Sequence, residues 1–320
     1  MTTDAPAIGI DLGGTQVRAA LVAPDGRLLA RAATPTDTEG GPRAVVEQIR
    51  QLVASVSEGH APSDLAGIGV CAPGPLDGEA GVVLGIPTLP GWTNIPLVAW
   101  LQAALQLPVL LENDGVGAAI GEWRFGAGRG LENFVYVTVS TGIGGGVIAD
   151  GRVLRGRRQL AAHVGHMTTA PDGEICRCGN RGCWEAQAAG PALARLARRA
   201  AARHPDSCLA ALGDALDAAS VVHAARDGDA LARQLIAQEA AHLGLGIVNL
   251  LHLYSPERIV LGGGVAQGFD LLHPGIAQEI ARRALPPFRD VPVVQAQRGQ
   301  DAGLVGAASL MLAGHGRPGG

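Results

Sequence analysis

The sequence predicts an α/β fold built twice, as two similar domains facing each other, and three observations predict it. A strand, a Gly/Thr-rich turn, a strand, an Asp-Gly turn and a strand run from Ala7 to Ala33, and the same order returns from Phe134 to Leu154. Self-similarity of this kind marks a duplicated unit. Short apolar runs with β-branched residues alternate with stretches of helical periodicity through the rest of the chain, the pattern of sheets covered by helices. One stretch, His163 to Glu185, fits neither pattern and reads as an inserted loop rich in cysteine and histidine.

Composition sets the class. With 320 residues, 47% of them hydrophobic, the chain is long enough for two domains with cores of their own. Aromatics are scarce and glycines abundant, so those cores must be aliphatic and the turns tight. A formal charge of −4 gives no electrostatic footprint for nucleic acid. No apolar run reaches the ~18 residues that a membrane span needs. The Met1 end has no charged-then-apolar leader, so a cytoplasmic location is expected.

The first copy opens with the strand Ala7 to Asp11, the turn Gly13-Gly14-Thr15 and a strand resuming at Val17. A dinucleotide-binding unit would place a helix after its Gly-rich turn; a strand follows here. Such a turn presents backbone N–H groups and a threonine hydroxyl, which suits it to phosphate oxygens, and Asp11 is placed to orient a hydrated Mg²⁺ beside them. The second copy repeats the turn as Thr141-Gly142-Ile143-Gly144-Gly145-Gly146. Either turn alone is weak evidence, because most Gly-rich hairpins bind nothing; the pair is stronger.

Between the copies, Pro42 to Ser57 has helical spacing through Val45, Val46, Ile49, Leu52, Val53 and Val56. Leu65 to Cys71 reads as a buried strand leading into the rigid loop Pro73-Gly74-Pro75-Leu76-Asp77, and a helix follows from about Ile95 to Leu105. The strand Val109 to Leu111 then delivers Glu112-Asn113-Asp114 to the start of a helix at Val116. A carboxylate at a strand-to-helix junction is either a helix cap or a group facing a ligand, and the two roles are compatible.

In the inserted loop, His166, Cys176, Cys178 and Cys183 form a Cys₃His set. Three thiolates and an imidazole fill a tetrahedral zinc sphere and leave no position for water, so the metal would be structural. A disulfide is the other reading, but Cys176 and Cys178 are too close in sequence to pair without strain. His163 and Glu185 flank the set and are available to a ligand.

Helices are expected over Gln187 to Arg203, Leu209 to Leu216, a short segment capped by Ser220, and Asp229 to Tyr254. The strand Ile259 to Leu261 ends in Gly262-Gly263-Gly264, either a bare turn or a place where an adenosine or its phosphates approach the backbone. Val265 to Arg283 reads as helix and Val291 to Ala296 as the last strand. The small-residue helix Asp301 to Leu312 is expected to cross back onto the first domain, ahead of a frayed tail from Gly314 to Gly320. The expected division is therefore residues 1–115, with helix 301–313 packed on them, and residues 116–300, containing the loop 163–185.

These segments resemble the ROK family of sugar kinases over nearly the whole chain: Asp11-Leu12-Gly13-Gly14-Thr15, Pro73 to Asp77, Gly91-Trp92-Thr93-Asn94, Glu112-Asn113-Asp114, Ser140 to Gly146, Gly165-His166, Cys176 to Glu185 and Gly262-Gly263-Gly264. The resemblance implies the duplicated actin-like ATPase (ribonuclease H-like) fold, with two domains flanking a cleft and a zinc-binding loop. It implies transfer of the γ-phosphate of ATP, with Mg²⁺, to the 6-hydroxyl of a hexose, with Asp114 as general base. Gly74, Asn94, Asn113, Asp114, His163, His166 and Glu185 would meet the sugar. Asp11, Gly13, Gly14, Thr15, Thr141 and Gly142 would hold the phosphates, and Gly263 and Gly264 would lie by the nucleoside. Domain closure would exclude water, and a homodimer or homotetramer is implied.

Three residues depart from the family pattern. Gln16 stands where many relatives have Lys, and Gly115 where Ala is usual. His163 stands where glucokinases of the family present a sugar-binding Glu, and His there resembles N-acetylmannosamine kinases. The Gly91 to Asn94 segment resembles glucokinases, so glucose is favoured and N-acetylmannosamine is the alternative. The family's repressors carry an added N-terminal helix-turn-helix, which is not expected here with a first strand beginning by Ala7. A non-catalytic sugar sensor would need neither Asp114 nor two phosphate turns.

Overall fold

The computed structural model describes residues 5–86 and 88–312. The chain begins β1 (Ala7–Leu12), β2 (Gln16–Val22), β3 (Leu28–Pro35), α1 (Gly41–Val56) and β4 (Ile68–Ala72). It continues with β5 (Leu76–Asp77), β6 (Val82–Gly85), β7 (Thr93–Ile95), α2 (Leu97–Leu105), β8 (Val109–Asn113) and α3 (Asp114–Phe125). Then come β9 (Phe134–Val139), β10 (Ile143–Ala149), β11 (Arg152–Val153), α4 (Trp184–Ala188), α5 (Gly190–Ala201), α6 (Ala218–Arg226) and α7 (Ala230–Tyr254). The last elements are β12 (Arg258–Gly262), α8 (Phe269–Arg283), β13 (Val293–Gln295) and α9 (Ala302–Ser309). The tail expected to fray, Gly314 to Gly320, and residue 313 lie outside the described residues.

Two sheets share one topology. The first has the order β3-β2-β1-β4-β8 and the second β11-β10-β9-β12-β13. In each, the first two strands of the copy pair antiparallel, Asp11 opposite Arg18 in one and Ile143 opposite Val139 in the other, and the later strands join parallel. The duplication read from the sequence is thus a duplication of sheets. The sequence reading did not include the small antiparallel sheet β5-β6-β7, because strands of two to four residues set among Gly and Pro have too few alternations to register.

The chain forms two compact units. One contains the described residues up to Gly130, Val153–Ala162 and those from Gln297 onward; the other contains Leu131–Arg152 and His163–Ala296. The expected division at 115/116 falls inside α3, and the first unit continues through that helix for a packing reason. Helices α3 and α9 approach at backbone distance: a Cβ on Gly306 would lie 1.7 Å from the Gly117 carbonyl oxygen, and one on Gly121 2.3 Å from that of Ala302. Helix α9 also lies on β1 and β4, where Gly9 and Gly69 leave room for the carbonyls of Leu304 and Ala307. Buried Glu122 fastens the returning segment, accepting the N–H groups of Ala127, Gln297 and Arg298. One core of this unit joins β1, β2 and β4 with α1 and α2; the other joins Ala7, Ala20 and Val22 to Leu304, Val305, Ala308 and Leu312.

Two expectations in the helical part change. The helix expected over Gln187 to Arg203 is interrupted at Ala189, whose extended backbone separates α4 from α5. Helix α6 is capped by Asp217, with Ser220 donating its backbone N–H to that carboxylate. Helix α7 is capped by Asp229 and is buried along most of its length.

Candidate active site and metal centre

In the first unit, the turn after β1 is closed by the Gly13 N–H bonded to the Gln16 carbonyl. Thr36, just after β3, pins it, donating its hydroxyl to the Gly13 carbonyl (2.7 Å) and its N–H to that of Thr15 (3.0 Å). The backbone carbonyls therefore face their own strands, and Thr15 is exposed at the tip. Asp11, on the last turn-facing stretch of β1, is ion-paired with Arg18, its cross-strand partner. Arg18 was not singled out in the sequence; the signal for it is a charged residue in register with an acid across a hairpin.

Asp114 occupies the first position of α3, directly after β8. The N-cap is Asn113, whose Oδ1 accepts the N–H groups of Gly115 (3.0 Å) and Val116 (3.4 Å). This resolves the cap-or-ligand question at the junction: the cap is the neighbour, and the Asp114 carboxylate accepts the Gly115 N–H (2.8 Å) and the Asn113 side chain beside it. Burial, then the negative charge of Asp11, raises Asp114 from an ordinary aspartate to about 6. At neutral pH it is ionised yet more basic than a surface carboxylate. Gly74 precedes a cis Gly74–Pro75 bond in the loop before β5, and Asn94 is exposed on β7 with φ 54°.

In the second unit, the Cys₃His set converges. The ligand atoms of His166, Cys176, Cys178 and Cys183 lie within 4.8 Å of one another. The Cys176 sulfur is 3.8 Å from His166 Nδ1, and the Cys178 and Cys183 sulfurs are 3.6 Å apart and unbonded. Zinc–sulfur bonds of about 2.3 Å give tetrahedral edges of about 3.8 Å, close to the two short separations, so the set can close on zinc with small side-chain shifts. Gly179 and Gly182 turn the backbone at φ 90° and 79°, and a Cβ on Gly182 would lie 1.7 Å from the Ala170 carbonyl. Asn180 Nδ2 is 3.3 Å from the Cys183 sulfur, an outer hydrogen bond that orients a ligand. Burial pushes the Cys176 thiol up to about 12 and raises Cys183 as well, so a metal must displace protons to bind.

The cysteine-rich loop also delivers Glu185 to the second Gly-rich turn. Its Oε2 accepts the Ile143 N–H (3.0 Å), and Oε1 lies 3.6 Å from the Cys176 sulfur. A Cβ on Gly142 would come within 2.5 Å of Oε2, so a side chain there would push this carboxylate aside. The sequence reading gave Gly142 a phosphate role and missed its tie to Glu185. His163 is exposed, with its ring centroid 6.2 Å from that of His166. Desolvation of its ring by the surrounding loop, then the neighbouring His166, holds His163 below the usual histidine value although the residue as a whole is exposed, so at neutral pH it offers one donor and one acceptor. Gly263 turns out of β12 at φ 89°, where a Cβ would lie 2.4 Å from the Val139 carbonyl; Gly264 follows, exposed.

Comparison with known proteins gives a consistent set of relatives. The ROK family matches residues 7–313. The glucokinase of Thermotoga maritima is 35% identical over 95% of this chain and 96% of its own. An N-acetylmannosamine kinase of Yersinia pseudotuberculosis is 33% identical over 94% of this chain and 96% of its own. The crystal structure of a ROK family glucokinase from Streptomyces griseus in complex with glucose and AMPPNP superposes with a TM-score of 0.84 at 36% identity, covering 95% of this chain and 98% of that one.

Proposed function

The chain belongs to the ROK family, and from that premise we propose that it is an ATP-dependent hexose 6-kinase with glucose as the favoured sugar. The observation that carries the reading is Asp114: a carboxylate fixed at a strand-to-helix junction, not itself the cap, and raised to about 6. Transfer requires a group that accepts the 6-hydroxyl proton as the O6–P bond forms and the bond from the γ-phosphorus to the bridging oxygen breaks, releasing ADP. In a loose phosphoryl-transfer transition state positioning matters more than basicity, and Asp114 has both.

The remaining roles follow the chemistry of each group. Asn113, with its oxygen engaged as a cap, presents its NH₂ to a sugar hydroxyl. Gly74 and Asn94 supply further contacts from the same unit. In the other unit His166, with Nδ1 toward the thiol cluster, keeps Nε2 for a hydroxyl, and Glu185 and His163 accept or donate beside it. Gly13, Gly14, Thr15, Thr141 and Gly142 are assigned to the phosphates, and Gly263 and Gly264 to the nucleoside. Mg²⁺, when bound, supplies charge compensation at the phosphates; Asp11 would hold it through water. Zinc would be held by His166, Cys176, Cys178 and Cys183 and would fix Glu185 and His166 in place, with no position left for catalysis. A cytoplasmic homodimer or homotetramer belongs to the same proposal.

A second reading, N-acetylmannosamine kinase, is favoured by His163 alone. A carboxylate accepts two hydroxyl hydrogens, whereas neutral imidazole pairs one donor and one acceptor, which suits an acylamino group. The test is ADP release with ATP and Mg²⁺ against glucose, mannose, fructose, N-acetylglucosamine and N-acetylmannosamine. Glucose with the highest kcat/KM is the expected result, and His163→Glu should then raise it further. A preference for N-acetylmannosamine replaces the first reading by the second, and no turnover on any sugar overturns both.

A further inference from the structure

The segment Val153–Ala162 belongs to the first unit although the chain on both sides of it, through Arg152 and from His163, belongs to the second. Its backbone is unusual. Gly156, Arg158, Gln159 and Ala162 all lie in the left-handed region, at φ 63°, 57°, 60° and 64°. Three non-glycine residues there cost free energy and persist only where the surroundings over-determine them.

What determines them is a pair of arginines anchored on the first unit. Arg155 Nη2 lies 3.3 Å from Oε2 of Glu112, a residue only 1% exposed. Glu112 Oε1 accepts the Asn113 N–H at 3.0 Å, and among the described residues Arg155 is the charge set against Oε2. Arg158 Nε reaches Asp77 Oδ2 at 2.7 Å, while Asp77 Oδ1 accepts the Ala80 N–H, closing the loop that follows Gly74. Gln159 fills the space left by Gly78. An unpaired buried carboxylate is costly, so Glu112 keeps its place at the end of β8 only while Arg155 stays beside it.

We propose that Arg155 is the positioning residue of the catalytic base: through Glu112 it fixes the β8–α3 junction and thereby the orientation of Asn113 and Asp114. Arg155 touches none of the reacting atoms assigned above, and the inference rests on the sugar-kinase reading of Asp114. Its effect should fall on the chemical step. A misplacement of about 1 Å costs about 100-fold in rate, so Arg155→Met should lower kcat by ~10- to 100-fold while the KM for ATP changes by about twofold or less. Arg155→Lys, which keeps a charge with poorer geometry, should recover part of the loss.

The decisive comparison is a cycle with Glu112→Gln, which removes the buried charge that Arg155 balances. If Arg155 acts through Glu112, the double variant is no slower than Glu112→Gln alone; if the two losses multiply, the assignment is overturned. Wild-type kcat in Arg155→Met overturns it as well. Hydrogen exchange of the peptide spanning Leu110 to Val116 gives a readout that does not depend on turnover: it should accelerate in Arg155→Met and much less in Arg155→Lys, and unchanged exchange rejects the positioning role. Absence of any sugar-dependent turnover in the wild type would reject the kinase reading, while the exchange experiment would still decide whether Arg155 holds the junction.

Discussion

In the first unit the fifth strand of the sheet, β8, ends in Asn113 and runs directly into α3 with Asp114 as its first residue. In the second unit the strand in the same place, β13, has three residues, Val293–Gln295, and does not run directly into a helix: the next acid, Asp301, stands at the N-cap of α9 after an intervening segment that already belongs to the first unit. The second unit instead carries a long insertion between β11 and α5, and its acid, Glu185, arrives from there. Duplication thus repeated the sheet and its Gly-rich turn, while the acids proposed for the site come once each and by different means: a sharp strand-to-helix junction in one copy, a cysteine-rich loop in the other. The two acids differ accordingly. Asp114 accepts only from its chain neighbourhood, Asn113 and Gly115, whereas Glu185 reaches across to the Ile143 N–H and lies against Gly142.

The sharpest way to break this comparison is to neutralise each acid in turn. Asp114→Asn preserves volume and the Gly115 hydrogen bond, so folding and sugar binding should survive while kcat drops by ~10²- to 10⁴-fold, the range for a general base. Glu185→Gln should act mainly on KM for the sugar. Steady-state ADP release distinguishes the two, and equal losses of kcat would mean that the units do not divide the chemistry as argued.

How much of this was legible in the sequence follows the same division. The two turns, the strands beside them and the cysteine spacing are local patterns, carried by neighbours in the chain, and the structure shows the sheets and the ligand cluster they imply. The junction at Asp114 was legible as a place, but the cap passed to Asn113, a choice made by backbone angles that both residue types tolerate. The arginine segment was not legible at all. Arg155 finds Glu112, and Arg158 finds Asp77, across long stretches of chain, and no periodicity reports such pairs. Left-handed angles at Arg158, Gln159 and Ala162 run against residue preference, so local reading argues against them.

The metal loop offers the next effect in size. Cys178→Ser removes an exposed ligand rather than a buried one, so the protein should still be recovered folded. Zinc content, measured by elemental analysis, should fall well below one per chain, since the variant lacks one of the three thiolates of the closed four-ligand sphere. Hydrogen exchange should rise across His166 to Glu185 and stay unchanged at the β8–α3 junction. Undiminished zinc would overturn the ligand set; a change at both places would mean that the loop supports the first unit as well as the second.

The smallest effect is on stability, and it carries a sign. Asp114 titrates at about 6 when folded, above the 3.8 of an ordinary aspartate. A raised carboxyl value means that the folded state holds its proton more tightly than the unfolded one, so the favourable contribution is complete below pH 3.8 and disappears as pH rises through 6. Above that, the fold bears the cost of a desolvated charge beside Asp11. Asparagine has the shape without the charge, so Asp114→Asn should be more stable than wild type at pH 7.5 by ~1–3 kcal/mol. The difference should shrink between pH 6 and 4 and vanish below. Thermal unfolding at several pH values measures it. A rising kcat across pH 5 to 7, limited by the same ionisation, should accompany it in the wild type, so that the charge which destabilises the junction is the one that makes it a base. A variant no more stable than wild type at pH 7.5 would mean that Asp114 is solvated like a surface carboxylate and that its placement, not its basicity, is all that this junction supplies.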